Sequence, residues 1–271
     1  MTTALKKKFA NQKYPVVAMV HFPPNPGSPL YDEKGGIEKI YNSVYKDAKA
    51  LVDNGVQTVM FCNEGDRPYL QKVGYETPTT MAAIISRVVS ELNIKYFGTD
   101  ILWDPKAAIA LGKATGASFV REVFTGVYSG DTGLWKTNCG ETLRYKKNID
   151  ADELALLFNI NAEFASSMDQ RPSELIAKSV EFSSLADVIC VSGPMTGMET
   201  NLKHLEKVKN NISKETYLFA NTGVNIKNID NILSIADGVV IGSHLKVDGN
   251  TWNPVDPKRV EAFMNKVQKI K

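Results

Sequence analysis

Short apolar runs alternate with longer segments of helical periodicity eight times along this chain. The runs are rich in Val, Ile and Phe, and they are the length of single strands. Strands that alternate with helices in this way are typical of βα units and a parallel sheet. The predicted strands are 16–20, 56–62, 96–100, 118–123, 157–163, 187–192, 217–220 and 238–242, and the predicted helices are 37–54, 79–92, 105–115, 143–149, 172–185, 199–211, 226–235 and 257–270.

Eight such units in about 250 residues match the size of one closed barrel. The chain has 271 residues, of which 43% are hydrophobic, so it can bury a large core. No linker, repeat array or low-complexity segment divides it. We therefore predict an α/β protein with a single (β/α)8 TIM-barrel domain over residues 1–271, and an open doubly wound sheet is the alternative.

Charge and cysteine content exclude several classes of protein. The formal net charge is +2 and its charges are scattered, so we expect neither a nucleic-acid partner nor a membrane-surface partner. The three cysteines are Cys62, Cys139 and Cys190, an odd and widely spaced set that favours neither disulfides nor a clustered zinc site. No apolar run approaches the roughly 20 residues that span a bilayer, and the N-terminal segment does not resemble a signal peptide. These features predict a cytoplasmic protein.

The two ends of the predicted barrel differ in their loops. The αβ turns at 53–55, 114–116 and 236–238 are tight, and each ends in a glycine expected in the left-handed position after a helix. The βα loops at 22–36, 63–78 and 124–140 are longer and richer in Gly and Pro. Because barrel active sites are built from βα loops, we expect the functional site at that end.

The last two βα loops carry a pattern typical of phosphate binding. Asn221-Thr222-Gly223 follows the seventh predicted strand, and Gly242-Ser243-His244-Leu245-Lys246 follows the eighth. In phosphate-binding barrels these loops and a short extra helix hold the phosphate through main-chain N–H groups. We therefore predict a phosphorylated small molecule as ligand; simple turn glycines are the alternative. The candidate phosphate-binding residues are Gly193, Thr222, Gly223, Gly242 and Ser243.

Polar residues alternate with apolar ones along the fifth predicted strand. Asn159, Asn161 and Glu163 fall on one face, which we expect to point into the barrel. A buried carboxylate is costly unless it is hydrogen-bonded or holds a ligand, so Glu163 is a candidate acid or base and Asn161 a candidate partner. The alternative is that Glu163 is a solvated residue at the rim.

Two further candidates lie on the first and fourth predicted strands. His21 ends the first strand on the face of Val17 and Met19, where it could move protons near neutral pH or only cap the barrel mouth. Arg121 and Glu122 are adjacent, so we expect only one of them to face the pocket. Arg121 is favoured because a guanidinium suits an anionic substrate; an ion pair is the alternative.

Acidic and amide side chains follow the second and third predicted strands. Asn63 and Asp66 are rim candidates, and Asp100, at the end of the third strand, is a further candidate catalytic residue. Together with Glu64 they could bind a divalent cation, although no dense ligand spacing supports one and Asp66 could equally cap a turn. No Ser-His-Asp order with a nucleophile elbow is present, so acyl-enzyme chemistry has no support.

Several segments of the chain resemble the BtpA family, also called the BtpA/SgcQ family, from about residue 16 to residue 264. The resemblance implies a ribulose-phosphate-binding type of TIM barrel, with the phosphate site at Gly223, Gly242 and Ser243. The segments that carry it are 21–29 (HFPPNPGSP), 63–69 (NEGDRPY), 119–121 (FVR), 141–145 (ETLRY), 193–197 (GPMTG) and 248–256 (DGNTWNPVD).

The resemblance implies a ligand type more firmly than a reaction. The family takes its name from a role in photosystem I biogenesis, relatives lie among sugar-utilisation genes, and some carry a phosphoribosylanthranilate isomerase label. That isomerase would need a paired Cys and Asp, and Cys62 follows the second predicted strand rather than the first. The family pattern Asp-Val-x-Val-Lys-His is replaced here by residues 159–164 (NINAEF), and Cys62 stands where an acidic residue is usual.

These observations favour an isomerase- or lyase-like enzyme that acts on a sugar phosphate or similar metabolite. The alternative is a non-catalytic assembly factor that works through its surface. A deep polar pocket with Arg121 and Glu163 converging in it would favour the enzyme, whereas an occluded pocket and an exposed apolar patch would favour the assembly factor. Substrate, metal dependence and a homo-oligomeric state are left open.

Overall fold

The computed structural model describes residues 2–193, 198 and 200–270. Residues 194–197 and 199, which include most of the segment 193–197 and the start of the predicted helix 199–211, lie outside the described residues. The strands of the described part are β1 (Val16–His21), β2 (Thr58–Cys62), β3 (Phe97–Asp100), β4 (Phe119–Glu122), β5 (Val127–Gly130), β6 (Gly133–Lys136), β7 (Ala155–Asn159), β8 (Ala165–Ser167), β9 (Val188–Val191), β10 (Tyr217–Ala220) and β11 (Gly238–Ile241).

The helices alternate with the strands as the sequence predicts. One N-terminal helix was not predicted, and in the described residues no helix is both long and apolar enough to cross a membrane. The helices are α1 (Thr2–Lys8), α2 (Gly36–Asp53), α3 (Glu76–Glu91), α4 (Pro105–Thr115), α5 (Cys139–Asn148), α6 (Ser173–Ser183), α7 (Leu202–Lys209), α8 (Ile229–Leu233) and α9 (Pro257–Gln268).

Parallel strands close into a barrel in the order β1-β11-β10-β9-β7-β4-β3-β2. The closure is direct, because β1 pairs with β2 on one side and with β11 on the other. In the register of these pairs Val17 lies opposite both Thr58 and Val240. The prediction of a (β/α)8 TIM barrel is therefore confirmed, and the open-sheet alternative is wrong.

Alternate residues of the strands fill the barrel interior, as the period of two requires. Val17 and Met19 belong to a buried interior cluster with Phe119 and Phe219, while their sequence neighbours pack against the helices. Phe9, directly after α1, is fully buried, and its ring centroid lies 5.3 Å from those of both Phe119 and Phe219. This aromatic plug fills the N-terminal end, so a ligand must enter from the C-terminal end.

The fifth barrel strand differs from its prediction. We expected a strand over 157–163, but β7 ends at Asn159. The Asn161 amide donates to the Ser192 carbonyl at 2.8 Å and accepts from the Ser192 N–H at 2.9 Å. A side chain thus replaces the next main-chain pairs with β9, and the backbone turns away. Asn161 and Glu163 consequently lie in a loop, not on an inward strand face.

An antiparallel sheet of β6, β5 and β8 stands over the barrel mouth. It is built from the loops that follow β4 and β7, which the sequence analysis treated as irregular. Trp135 on β6 stacks on Trp103 from the loop after β3, with ring centroids 5.0 Å apart and an interplanar angle of 13°. Both side chains are at least nine-tenths buried, so the sheet closes one side of the mouth with an aromatic wall.

The αβ turns follow the predicted backbone at two of three positions. Gly55 and Gly116 take positive φ angles of 92° and 75°. Gly238 instead lies in β11 without a positive φ, and the left-handed prediction is wrong there. A Cβ atom on Gly238 would lie 2.5 Å from the ring of Phe219, so this position requires glycine for close packing.

A buried ion pair fastens the loop after β11 to the barrel wall. Lys246 Nζ lies 2.6 Å from Asp47 Oδ2 on α2, and the side chains are only 2% and 6% exposed. The other carboxylate oxygen of Asp47 accepts from the Val255 N–H at 2.9 Å. Both ends of the loop 246–255 are therefore held by one carboxylate.

Replacement of Asp47 should strongly destabilise the protein, because it leaves the Lys246 ammonium buried and unpaired. We expect Asp47→Ala to lower the free energy of unfolding by about 3 to 5 kcal/mol in chemical denaturation followed by tryptophan fluorescence. The matched control is Asp53→Ala, which removes the exposed pair with Lys49 and should change the stability far less. Equal small losses in both variants would contradict this account of the loop.

Candidate active site at the C-terminal end of the barrel

A cavity of about 250 Å³ opens at the C-terminal end of the barrel. Its position matches the site expected from the loop asymmetry, and its size suits a small metabolite. Most predicted site residues line it, namely His21, Arg121, Glu163, Thr222, Gly223, Gly242 and Ser243. The described lining does not include the other predicted site residues, Asn63, Asp66, Asp100, Asn161 and Gly193.

A buried guanidinium forms the floor of this cavity. Arg121 donates from Nε to Asp100 Oδ2 at 3.1 Å, and its Nη2 lies 2.8 Å from the same oxygen. A third N–H, on Nη1, donates to Asn221 Oδ1 at 2.8 Å. Asp100 is fully buried beneath the guanidinium, where burial raises the pKa of its carboxyl group and Arg121 opposes that rise. The Asp100 carboxylate therefore contacts Arg121, and Asp100 is not among the described residues that line the cavity.

The amide of Asn221 extends this floor to the neighbouring strands. Its nitrogen donates to Ser192 Oγ at 2.7 Å and to Asn159 Oδ1 at 3.3 Å. Arg121 thus connects β3 and β4 with the C-terminal ends of β7, β9 and β10. Of the polar residues predicted on the fifth strand, Asn159 is the one that this network uses.

Glu122 also reaches the cavity, which differs from the expectation that only one of the adjacent pair would do so. Its carboxylate accepts from the Trp103 N–H at 2.6 Å and from the Val123 N–H. Burial raises the pKa of Glu122 well above its ordinary value, with the charge of Asp100 adding to the rise. Trp103 has a φ of 71°, which is rare for a bulky residue, so Glu122 holds the aromatic wall in a strained backbone conformation.

Glu64 is a titratable group whose burial the sequence did not predict. It follows β2, is 9% exposed and lines the cavity, whereas we expected it only at the rim. Burial raises the pKa of Glu64 to about 7, and the charge of Glu163 adds to the rise while Arg121 opposes it. The Tyr69 hydroxyl donates to the Glu64 carbonyl at 3.1 Å. Periodicity could not predict this burial, because the other residues that line the cavity come from several separate loops.

His21 ends β1 on the inward face, as predicted, and lines the cavity. Burial lowers its pKa well below the ordinary value, and the charge of Lys246 lowers it further, while a hydrogen bond with the Thr251 backbone opposes these effects. The lowered pKa favours the neutral imidazole. Its Nδ1 atom is buried without a hydrogen-bond partner among the described residues.

The loops after β10 and β11 also line the cavity. Gly223 has a φ of 67°, a conformation that favours glycine, and a short 3-10 helix runs over Ser243–Leu245 after Gly242. The short helix predicted after the eighth strand is therefore present. Gly193 is not part of the described lining, and its N–H donates to the Thr222 hydroxyl. Gly193 therefore supports the loop after β10 without being part of the described cavity lining.

Arg259, near the start of α9, also lines the cavity. Its Nε donates to the His244 carbonyl at 2.7 Å, and its Nη2 lies 3.3 Å from His244 Nδ1. None of the ion pairs formed among the described residues involves Arg259, so its charge is not matched by a carboxylate there. Arg259 could not be identified from the sequence, because only the closed barrel brings α9 beside the loop after β11.

The rim residues Asn63 and Asp66 connect loops. Asp66 accepts from the main-chain N–H of Asn25 at 2.6 Å and from its side-chain amide at 3.0 Å, and Asn63 Nδ2 lies 3.2 Å from Asp66 Oδ2. Asn63 Oδ1 accepts from the Leu102 N–H at 2.8 Å. The described residues include no group of three or more His, Cys, Asp or Glu side chains that could hold a metal ion. Asp66 thus holds the loop that follows β1, as the turn-capping alternative proposed.

Because folding raises the pKa of Glu64, we expect the free energy of unfolding to depend on pH. Because the folded-state pKa of about 7 lies above the ordinary value of 4.5, the stability that Glu64 contributes is complete below about pH 4.5. It is lost as the pH rises through 7. Glu64→Gln should therefore unfold at a higher temperature than the parent at pH 8, with the difference shrinking toward pH 5. The exposed control Glu33→Gln should show no such trend in thermal unfolding; a pH-independent difference for Glu64→Gln would contradict the assignment.

Comparison with known proteins agrees with this fold. A similarity to "Putative sgc region protein SgcQ" of Escherichia coli (strain K12) reaches 43% identity and covers 98% of each chain. "Photosystem I biogenesis protein BtpA" of Synechocystis sp. is 32% identical over 92% of this chain and 86% of its own length. Among solved structures, thiamine phosphate pyrophosphorylase from Pyrococcus furiosus gives a TM-score of 0.57 at 13% identity, covering 98% of both chains.

Phosphoribosyl anthranilate isomerase from Thermus thermophilus also gives a TM-score of 0.57, at 8% identity over 94% of this chain and 99% of its own. At these identities the structural likeness shows the fold alone, a TIM barrel. The model of the BtpA family matches residues 12–269. With nearly the whole chain matched, and with a relative at 43% identity, the chain belongs to the BtpA family.

Proposed function

We propose that this protein binds a phosphate ester at the C-terminal end of its barrel and moves a proton on the bound molecule, as an isomerase or lyase does. One observation carries the proposal. One cavity is lined both by Gly223, Ser243 and Arg259 and by the carboxyl-bearing residues Glu64 and Glu163. Similar barrels with the names thiamine phosphate pyrophosphorylase and phosphoribosyl anthranilate isomerase support a phosphorylated ligand.

The phosphate would lie at the loops after β10 and β11. Main-chain N–H groups around Gly223 and Ser243 suit its oxygens, and the guanidinium of Arg259 supplies a charge that no carboxylate of the described residues matches. Anchoring at these loops fixes the distance from the phosphate to the reacting carbon atoms. Arg259 replaces Gly193 in the set of phosphate ligands that the sequence analysis listed.

Proton transfer would fall to the carboxyl groups. A pKa of about 7 lets Glu64 exist in both protonation states at neutral pH, which suits a general acid or base. Glu163 shares the cavity, and His21 can offer a neutral imidazole. A cysteine base is disfavoured, because burial and the charges of Asp100 and Glu64 raise the pKa of the Cys62 thiol well above its ordinary value.

One observation favours the alternative of a surface-acting assembly factor. Phe182 and Leu185, at the end of α6 and directly after it, are 85% and 68% exposed, and Leu175 on the same helix is 49% exposed. They border a second, larger cavity, away from the barrel mouth. This alternative would gain support if phosphate esters left the thermal unfolding of the protein unchanged.

A negative charge at Gly223 should abolish phosphate binding. At a ligand concentration near 100 times Kd the parent should gain about 2.7 kcal/mol of stability, which thermal unfolding detects. Gly223→Asp should lose this gain, because its carboxylate repels the phosphate. Gly223→Asn is the matched control: Asn tolerates the left-handed backbone about as well and adds no charge.

Equal ligand-induced shifts in the parent and Gly223→Asp would contradict the proposed site. Equal losses in Gly223→Asp and Gly223→Asn would show that backbone shape and not charge matters, and would remove the electrostatic part of the proposal. Inorganic phosphate and ribose 5-phosphate serve as probes, because neither requires knowledge of the natural substrate.

Loss of the guanidinium should weaken binding without unfolding the protein. We expect Arg259→Gln to raise the Kd for inorganic phosphate about ten- to a hundredfold, since charge-assisted hydrogen bonds contribute roughly 1.5 to 3 kcal/mol. Lys258→Gln changes the net charge equally at the neighbouring, exposed position and should leave Kd nearly unchanged. Isothermal calorimetry measures both; equal Kd values for the two variants would exclude Arg259 from the site.

A further inference from the structure

We propose that the cavity selects a ligand with one phosphate whose other end is uncharged or cationic, and that it rejects a ligand with a second anionic group. This inference rests on the proposed function, because it assigns a substrate class to the same site. Its basis is the charge of the residues that line one cavity. Arg121 is paired with a carboxylate, Arg259 pairs with none among the described residues, and acidic residues line the same cavity.

The unmatched positive charge lies at the loop after β11. Arg259 is held by the His244 carbonyl, and within the described residues it pairs with no carboxylate. No lysine belongs to the described lining of the cavity, which leaves Arg121 as the other permanently charged cation. One anionic group of the ligand can therefore be neutralised by Arg259.

The positive charge of the second arginine, Arg121, is already balanced by a carboxylate within the protein. Arg121 contacts Asp100 through two nitrogen atoms, and Asp100 is fully buried and makes no part of the described lining. Its third described contact is with the carbonyl oxygen of the Asn221 amide. The guanidinium is thus neutralised within the protein and offers little attraction to a second phosphate or a carboxylate.

Acidic groups share the cavity with this neutralised arginine. Glu64 and Glu163 both line it and lie close enough for the charge of Glu163 to act on Glu64. Glu122 lines it as well, with its carboxylate accepting two main-chain N–H groups. The groups that face Glu64 are Cys62, Tyr69, Asp100, Arg121 and Glu163.

These charges determine which ligands fit in a confined volume. A cavity of about 250 Å³ gives the far end of a phosphate-anchored metabolite little freedom to avoid Glu64 and Glu163. Hydroxyl and ammonium groups can donate hydrogen bonds to carboxylates, whereas a second anion would lose water and meet like charge. Rejection by repulsion is a common source of specificity. A phosphorylated polyol, sugar or amino sugar fits, and a bisphosphate or phosphorylated acid does not.

The test compares three six-carbon 6-phosphates that carry, away from the phosphate, an ammonium group, hydroxyl groups only, or a carboxylate. They are glucosamine 6-phosphate, glucose 6-phosphate and 6-phosphogluconate, and inorganic phosphate reports the anchor alone. Calorimetric Kd values are measured at pH 8 for the parent, Glu64→Gln and Glu163→Gln. We expect 6-phosphogluconate to bind the parent at least about tenfold more weakly than glucose 6-phosphate, which is the effect of roughly 1.4 kcal/mol.

Each variant should reduce that ratio by severalfold and should weaken glucosamine 6-phosphate most, with the Kd for inorganic phosphate changing less than either. Equal or tighter binding of 6-phosphogluconate, or a ratio that both variants leave unchanged, would overturn the inference. Binding of inorganic phosphate without any of the three esters would also overturn it. If the parent binds neither inorganic phosphate nor any ester, the proposed function itself fails, so the two failures are distinguishable.

Discussion

The buried contact of Arg121 with Asp100 is the interaction on which the site depends. The apolar interior of the barrel ends directly beneath it, and the amide network through Asn221 carries its position to the ends of three further strands. An unpaired guanidinium at this depth would be strongly unfavourable, so the carboxylate of Asp100 is a condition for placing Arg121 there. The pair contributes shape and rigidity to the cavity floor while adding almost no net charge.

With the floor neutral, the electrostatic character of the cavity is set by its walls. The N-terminal end is filled by Phe9, and the sheet of β5, β6 and β8 covers one side of the mouth. Water is thereby limited around Glu64, which is why its pKa rises, and Arg259 is left as the unmatched cation of the described lining. The same enclosure that orients a ligand also strengthens the charges that select it.

The sequence predicted the barrel and the position of the cavity at its C-terminal end well, because both depend on local periodicity and on glycine positions. Gly223, Gly242 and Ser243 were located from their place after the last two strands. Asn161 was misassigned, since its amide imitates a strand pair and ends β7 early, which no periodicity reveals. Arg259 was missed for a related reason: its role depends on α9 meeting a loop across the closed barrel.

The most direct test of the central claim is a crystal structure of the protein soaked with inorganic phosphate. The account predicts an anion between the main-chain N–H groups of Gly223 and Ser243, within hydrogen-bond distance of the Arg259 guanidinium, with the contact between Arg121 and Asp100 unchanged. An anion bound instead to Arg121, with Asp100 displaced and the end near Arg259 empty, would contradict it.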